Sequence, residues 1–206
     1  WHVDAGADEA IDEAPRNRFA AAPKPVAKGP VPAAPKGTTR SIAAANETAD
    51  AVLQSARETA KACQDLASLR DALAKFDGCA LKATAKSLVF ADGNPDAPLM
   101  LVGEAPGADE DREGLPFVGV SGQLLDRMLA AIGQDRTGTY ITNILPWRPP
   151  GNRKPTPAEI LLCQPFVERH IELVAPKLLV FVGGTAASTL LDRTEGITRL
   201  RGRWLE

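Results

Sequence analysis

A glutamate in a glycine-rich turn is the first residue whose position suggests chemistry. Glu104 lies in the run GEAPG over residues 103–107, directly after the apolar run 99–102. A carboxylate at the end of a buried strand can be aimed into a cleft, where it acts as a general base or orients a water molecule. The motif alone is equally compatible with a solvated loop acid.

An aromatic ring and an amide occur at comparable positions further along. Phe117 lies in the glycine-lined segment 114–122, just before a predicted helix, where a ring can stack on a flat base and helix N–H groups can bind phosphate. Asn143 ends the strand-like run 140–142, and its amide offers one acceptor and two donors, which suits the edge of a pyrimidine. The alternatives are a phenylalanine that plugs its loop into the core and an asparagine that only forms a turn.

Three apolar runs predict the framework that positions these residues. They cover 99–102, 140–142 and 178–182, and helices are predicted to begin near Ser121 and Thr156 between them. Continuous apolar strands separated by helices are typical of a parallel sheet covered on both faces, so we predict a three-layer α/β/α fold with a central, mainly parallel sheet. Ligands of such sheets bind at the carboxyl ends of the strands, where the loops after all three runs meet.

Local signals indicate where the helices lie. A capping box at 156–159 predicts a helix over 157–174, and Ser121 is predicted to cap the helix that follows it. Between residues 41 and 73, apolar side chains recur every three or four positions, which predicts a helical stripe that buries Cys63.

Residues 1–40 differ from the rest of the chain. Acidic residues occur without bases over 4–13, and bases occur without acids over 16–40, among prolines and alanines. This composition predicts an extended, disordered leader that serves either as a tether for a polyanion or as a solubilising linker. We therefore predict a leader over 1–40 and one α/β domain over 41–206.

The overall composition excludes several classes of protein. The 206 residues carry a net charge of -2, so binding to nucleic acid must rest on a local basic patch. No apolar run predicts a membrane span, and the first residues lack the features of a secretion signal. Three cysteines, Cys63, Cys79 and Cys163, favour reduced thiols over a disulfide framework, so we expect a cytoplasmic protein.

In order and spacing, these motifs together resemble those of the family 4 (thermophile-type) uracil-DNA glycosylases. The matching runs are 103–107, 114–125, 140–143 and 148–153, within a similar stretch of roughly residues 76–204. The resemblance implies hydrolysis of the N-glycosidic bond of deoxyuridine as the first step of base-excision repair. The expected partners are uracil-containing DNA as the substrate and free uracil as the product. The protein itself is expected to be a monomer.

The resemblance also implies roles for individual residues. Glu104 and Asn143 are then catalytic: Glu104 positions or activates water, and Asn143 binds the polar edge of uracil. Phe117 stacks on the extruded base, while Gly103 and Ala105 complete the uracil site, with backbone N–H groups of this loop as further donors. The implied DNA contacts are Ser121, Gly122, Arg148, Arg153 and Arg201.

Two charged segments lie near these motifs. The arginines at 199, 201 and 203 alternate as on a strand, so they are predicted to share one face, either to bind phosphates or as solvated charge. The acidic segment 109–113 is expected to stay off the DNA backbone or to turn outward, or else to be a plain solvated turn.

The chain departs from the family at four cysteine positions. Family 4 enzymes of this kind hold an iron–sulfur cluster on four cysteines, and the matching positions here are Phe76, Cys79, Trp147 and Cys163. Because a cluster needs four suitable ligands, we predict no iron–sulfur centre, no other metal and no cofactor.

The family also continues beyond a segment like 197–204, into a strand and a loop whose histidine assists the leaving base. Neither His2 nor His170 matches that motif, so no catalytic histidine is assigned, and we expect the chain to be a fragment of the active protein. A non-catalytic module that binds flipped or damaged bases remains an alternative. A phosphate loop at 181–185 is a weaker one, since it lacks the lysine of a P-loop.

Overall fold

The computed structural model describes residues 42–205, with side chains from residue 49 onward, so the predicted leader over 1–40 lies outside the described residues. The strands are β1 (Asp92–Gly93), β2 (Leu99–Gly103), β3 (Thr139–Asn143) and β4 (Leu178–Phe181). The helices are α1 (Ile42–Ala62), α2 (Leu66–Lys75), α3 (Ala108–Glu113), α4 (Val120–Ala131), α5 (Pro157–Val174), α6 (Gly184–Leu191) and α7 (Ile197–Leu200). None of these helices is long and apolar enough to cross a membrane.

The strands form one sheet in the order β1-β3-β2-β4. β2 pairs in parallel with both β3 and β4, whereas the short edge strand β1 pairs antiparallel to β3. The mainly parallel sheet predicted from the three apolar runs is therefore confirmed. β1 was not predicted, because two residues are too short to show a periodic pattern.

Helices cover both faces of the sheet. Met100 of β2 belongs to a buried cluster that also contains residues of α1, α2 and α5. The next residue, Leu101, packs with Ile141 against Leu125 and Leu129 of α4. Successive strand residues point to opposite faces, so each central strand contributes to two cores. This arrangement confirms the three-layer α/β/α prediction.

Side-chain caps define where several helices begin. The Thr156 hydroxyl accepts the Glu159 N–H at 3.3 Å, and the Glu159 carboxylate accepts the Thr156 N–H at 2.8 Å, which confirms the predicted capping box of α5. Asp65 caps α2 by accepting the Ser68 N–H at 2.7 Å. The helical stripe predicted over 41–73 is therefore divided between α1 and α2.

Two local predictions are wrong. Gly119 occupies the N-cap of α4, and Ser121 lies inside the first turn instead of capping it. The strand-like alternation predicted for 199–203 is not formed either, because this segment buries Leu200 through the single helical turn of α7. Charged residues in alternation carry no apolar pattern that would hold a strand in a sheet.

Candidate active site

The carboxyl ends of β2 and β3 bring Glu104 and Asn143 side by side. Gly103 is aligned with Asn143 in the parallel pairing of the two strands. Glu104 follows directly, and its backbone carbonyl accepts the Leu145 N–H at 3.0 Å. Glu104 and Asn143, which are 39 positions apart in the sequence, therefore lie at the same edge of the sheet.

A pocket of about 220 Å³ opens at this edge of the sheet. The predicted site residues that line it are Glu104, Ala105, Phe117, Ser121, Asn143 and Arg153. The backbone of Gly107, which belongs to the predicted donor loop, also lines it, whereas two further polar lining residues, Glu110 and Asn152, had no predicted role in the site. The pocket thus unites the carboxylate, the aromatic ring and the amide that the separate motifs suggested.

Gly103 keeps the ring and the amide close together. A Cβ atom at this position would lie 2.4 Å from Asn143 Oδ1 and 2.5 Å from Phe117 Cζ. Any side chain larger than hydrogen would therefore overlap both groups. The predicted role of Gly103 in the site is consistent with this close approach.

The Glu104 carboxylate has a partner that the sequence analysis did not identify. The Thr185 hydroxyl, at the start of α6, donates a hydrogen bond to Glu104 Oε2. The only available signal was that Thr185 follows the third predicted strand, at the edge shared by all three loops. This contact links the 181–185 loop to the Glu104 carboxylate.

Phe117 lies in a strained loop. Its φ of 56° is in the left-handed region, which non-glycine residues rarely adopt. The half-buried ring lines the pocket and also packs against the cluster of Leu101 and Leu125, so it contributes to the core, and its stacking on a base stays a prediction.

Gly122 packs closely against that loop. A Cβ at Gly122 would lie 1.7 Å from the Phe117 carbonyl oxygen, and the residue is buried. The DNA contact predicted for Gly122 stays a prediction, and its buried position limits any such contact to the backbone. Ser121, by contrast, is exposed at the pocket.

The acidic segment 109–113 does not turn outward as a whole, so that expectation is wrong for two of its residues. The Glu110 carboxylate accepts the N–H groups of Gly107 at 2.9 Å, Val118 at 3.0 Å and Gly119 at 2.8 Å. The Glu110 side chain therefore connects backbone segments on two sides of the pocket. The Gly107 N–H already has this carboxylate as its hydrogen-bond acceptor. Asp111 is buried, and its Oδ1 accepts two backbone N–H groups at Lys86 and Ser87.

The predicted DNA-binding arginines differ in their surroundings. Arg148 is half-buried, and its Nε donates to Asn152 Oδ1 at 2.7 Å. Arg153 is exposed at the pocket and forms two hydrogen bonds with Glu159, at 2.6 and 2.9 Å. This pairing lowers the pKa of Glu159 to about 2. Arg201 is exposed but is not one of the residues that line the pocket.

The four positions that match cluster cysteines lie in one buried core. Phe76, Cys79, Trp147 and Cys163 belong to the same cluster, and Phe76 packs against Phe166 with ring centroids 5.1 Å apart. A hydrogen bond between the two thiols lowers the pKa of Cys79 and raises that of Cys163.

These residues do not fit an iron–sulfur cluster, because two thiols, a phenyl ring and an indole cannot supply four thiolates. Within residues 42–205, no group of three or more His, Cys, Asp and Glu side chains is arranged to hold a metal ion. All three cysteines are free and buried.

The histidine of α5 lies in the core, away from the pocket. His170 is buried, stacks on Phe90 at 4.4 Å and shares a 2.9 Å hydrogen bond with the Tyr140 hydroxyl. Burial lowers the pKa of His170 to about 4, so the ring is neutral at neutral pH. It is a structural residue, in line with its exclusion from the predicted site.

Comparison with known proteins relates the chain to uracil-DNA glycosylases. The family model described as the uracil DNA glycosylase superfamily matches residues 90–205. A type-4 uracil-DNA glycosylase of Archaeoglobus fulgidus is 42% identical over 132 residues, which are 62% of this chain and 66% of that protein. The type-4 enzyme of Saccharolobus solfataricus is 40% identical over 141 residues, or 66% of this chain and 65% of that protein.

The type-4 uracil-DNA glycosylase of Thermotoga maritima is 40% identical over 135 residues, covering 64% of this chain and 70% of that protein. The chain thus spans just under two thirds of the length of the Archaeoglobus and Saccharolobus relatives.

Proposed function

Because the chain belongs to the uracil DNA glycosylase superfamily, we propose that its protein hydrolyses the N-glycosidic bond of deoxyuridine in DNA. The products are free uracil and an abasic site, and the reaction begins base-excision repair. The observation that carries this proposal is the shared pocket of Glu104, Phe117 and Asn143 at the carboxyl ends of β2 and β3.

The pocket suits a base that has left the helix. A base inside a duplex cannot be reached, so its nucleotide must be extruded, which costs a few kcal/mol in lost stacking and pairing. Stacking on an aromatic side chain contributes about 1–3 kcal/mol per base. Phe117 therefore offsets part of the cost of extrusion, and its ring fixes the plane of the uracil.

Cleavage requires a water molecule and a stabilised leaving group. As the bond from C1′ to the base breaks, the sugar gains positive charge and the uracil gains negative charge. The Glu104 carboxylate orients the water and accepts its proton as it attacks C1′. Asn143 donates its amide N–H to a uracil oxygen, and this hydrogen bond strengthens as negative charge develops there.

The DNA backbone is held beside the pocket. Ser121 and Arg153 are exposed at its rim, and Arg148 orients the neighbouring Asn152. We assign phosphate contacts to Ser121, Arg148, Arg153 and Arg201, which fix position without reading sequence. Because Arg153 already pairs with Glu159, its contribution should be smaller than that of a free arginine.

We further propose that the protein works without an iron–sulfur cluster, as a monomer in the cytoplasm. The residues at the four matching positions favour a cluster-free core. Three free cysteines favour a reducing compartment. Size-exclusion chromatography with light scattering tests the oligomeric state.

The decisive experiment uses the full-length protein and a uracil-containing oligonucleotide. After incubation, alkali cleaves the strand at any abasic site, and the products are separated by size. The matched control oligonucleotide carries thymine in place of uracil, and the matched protein control is Glu104→Gln. Strand scission specific to uracil and to the wild-type protein is expected.

Tight binding of the uracil oligonucleotide without scission would instead favour a binding module for flipped or damaged bases. Absence of both binding and scission would contradict the proposed function.

A further inference from the structure

Arg136 contacts the loop that carries Phe117 although it does not itself line the pocket. Its Nη1 donates to the Pro116 carbonyl at 3.1 Å, and its Nη2 donates to the Phe117 carbonyl. The planar guanidinium presents its N–H groups in a fixed fork, so two neighbouring carbonyls bound in this way are held in one orientation.

Two carboxylates hold the guanidinium in place. Asp92 of β1 accepts from Nη1 at 2.6 Å, and Asp126 of α4 accepts from Nε at 2.9 Å. The Arg136 side chain is only 24% exposed, so these contacts are partly shielded from solvent. Arg136 thereby connects the edge strand, α4 and the loop before α4.

The Phe117 backbone needs this support because its conformation is unfavourable. Its φ of 56° is disfavoured for a residue with a large side chain. The same carbonyl that Arg136 binds lies against Gly122, where a Cβ would come within 1.7 Å of the oxygen. The carbonyl is thus fixed between a cation and the closely packed backbone of α4, and the ring is turned toward Gly103 and Asn143.

We propose that Arg136 is a positioning residue for uracil, which acts by holding the backbone of Phe117 so that its ring forms one wall of the pocket. This inference rests on the proposed function, because it assumes that Phe117 stacks on the base. A purely structural role would affect folding alone, whereas a positioning role affects uracil affinity through Phe117.

The test compares Arg136→Lys with a matched control, Arg169→Lys. Lysine keeps the positive charge but lacks the planar guanidinium, whose fixed N–H groups donate to both carbonyls. Arg169 is also 24% exposed, donates to the Cys63 carbonyl at 3.0 and 2.8 Å and pairs with Glu172, but it is not one of the residues that line the pocket. The readout is the Kd of free uracil, measured by calorimetry on the full-length protein, together with the thermal midpoint of each variant.

The Arg136→Lys substitution should weaken uracil binding about tenfold, within the range expected when a base–aromatic stack is lost. Arg169→Lys should leave the Kd unchanged. In a Phe117→Ala background, Arg136→Lys should have no further effect, because residues that act through one another are not additive. If Arg136→Lys does not fold, the Kd of the Asp126→Ala variant is measured instead. This substitution removes one carboxylate that holds the guanidinium and should also weaken uracil binding.

An unchanged Kd in the folded Arg136 variant, equal losses in the two arginine variants, or additivity with Phe117→Ala would overturn the inference. So would a wild-type protein that binds no uracil. If the wild type binds uracil but releases none from DNA, the proposed hydrolysis fails while the effect of Arg136 on the Kd still decides this inference.

Discussion

The hydroxyl of Thr185 donates a hydrogen bond to the carboxylate of Glu104, although the two residues are 81 positions apart in the sequence. Glu104 follows β2 and Thr185 follows β4, and these strands are neighbours in the sheet. A carboxylate carries two oxygens with several lone pairs, so one oxygen can accept the hydroxyl while the other faces a water molecule. The contact therefore restricts the orientation of the proposed base.

Replacing Thr185 by valine should lower kcat without changing the affinity for uracil. A hydrogen bond to a charged group contributes about 1.5–3 kcal/mol, so a decrease of about 10- to 100-fold is expected. Single-turnover excision kinetics measure the effect. The matched control is Ser188→Ala on the same helix, since the Ser188 hydroxyl only donates to the Thr185 carbonyl at 3.2 Å. Equal rates for Thr185→Val and the wild type would show that the hydrogen bond does not position Glu104.

Replacing Asn143 by alanine should abolish most turnover while the protein stays folded. Removal of one donor from a transition-state oxyanion typically lowers kcat by about 10²- to 10³-fold. Excision kinetics and thermal unfolding should be measured on the same preparation. Asn94→Ala is a suitable control, because that side chain only supports the turn before β2 through the Asp96 N–H. A variant that retains wild-type kcat would remove Asn143 from the mechanism.

A methyl group at position 103 should close the pocket. In Gly103→Ala the added carbon would meet Asn143 Oδ1 at 2.4 Å and Phe117 Cζ at 2.5 Å, so one of these groups must move. We expect loss of both uracil binding and excision. Gly196→Ala is the control, because its nearest neighbour would lie 3.9 Å away and its φ of -64° accepts alanine. Normal uracil binding by Gly103→Ala would contradict the geometry of the site.

The sequence predicted the residues that lie at strand ends and missed those that act across the fold. Glu104 and Asn143 were identifiable because each follows an apolar run, and the ends of parallel strands meet at one edge. Thr185 also follows an apolar run, but that position alone did not show its contact with Glu104, and Arg136 follows no such run. Their contacts depend on strand order and on loop conformation, which no short-range pattern encodes.

Tertiary packing gives residues in two segments roles that the sequence analysis did not anticipate. Glu110 and Asp111 were expected to turn outward or to lie in a solvated turn, yet both carboxylates accept backbone N–H groups, as polar groups withdrawn from solvent generally must. The resemblance implied a DNA contact for Gly122, and the structure adds that its missing side chain permits the close approach of Phe117. In both cases residue type was informative, but the partner was set by tertiary packing.

Protein purified without oxygen should contain neither iron nor acid-labile sulfide in stoichiometric amount. Phe76 and Trp147 offer no ligand, and Cys79 and Cys163 alone provide two of the four thiolates that a cluster needs. The matched control is the Cys79→Ala, Cys163→Ala double variant, whose iron content should equal that of the wild type. Stoichiometric iron and sulfide that disappear in the double variant would overturn the cluster-free proposal.

The pH dependence of the free energy of unfolding should reflect the lowered pKa of the buried His170. The pKa of His170 is lowered by burial from 6.5 to about 4, so between these values the unfolded chain binds the proton and the folded chain does not. The free energy of unfolding must then fall as the pH falls through this window, by up to about 1.4 kcal/mol per pH unit, and this contribution is constant above 6.5 and below 4. Urea denaturation across the window measures it. In His170→Gln, which can still hydrogen-bond the Tyr140 hydroxyl, the slope should be smaller by the histidine contribution, because all other titrating groups are shared by the two proteins. Parallel pH profiles for the two proteins would contradict a neutral, buried His170.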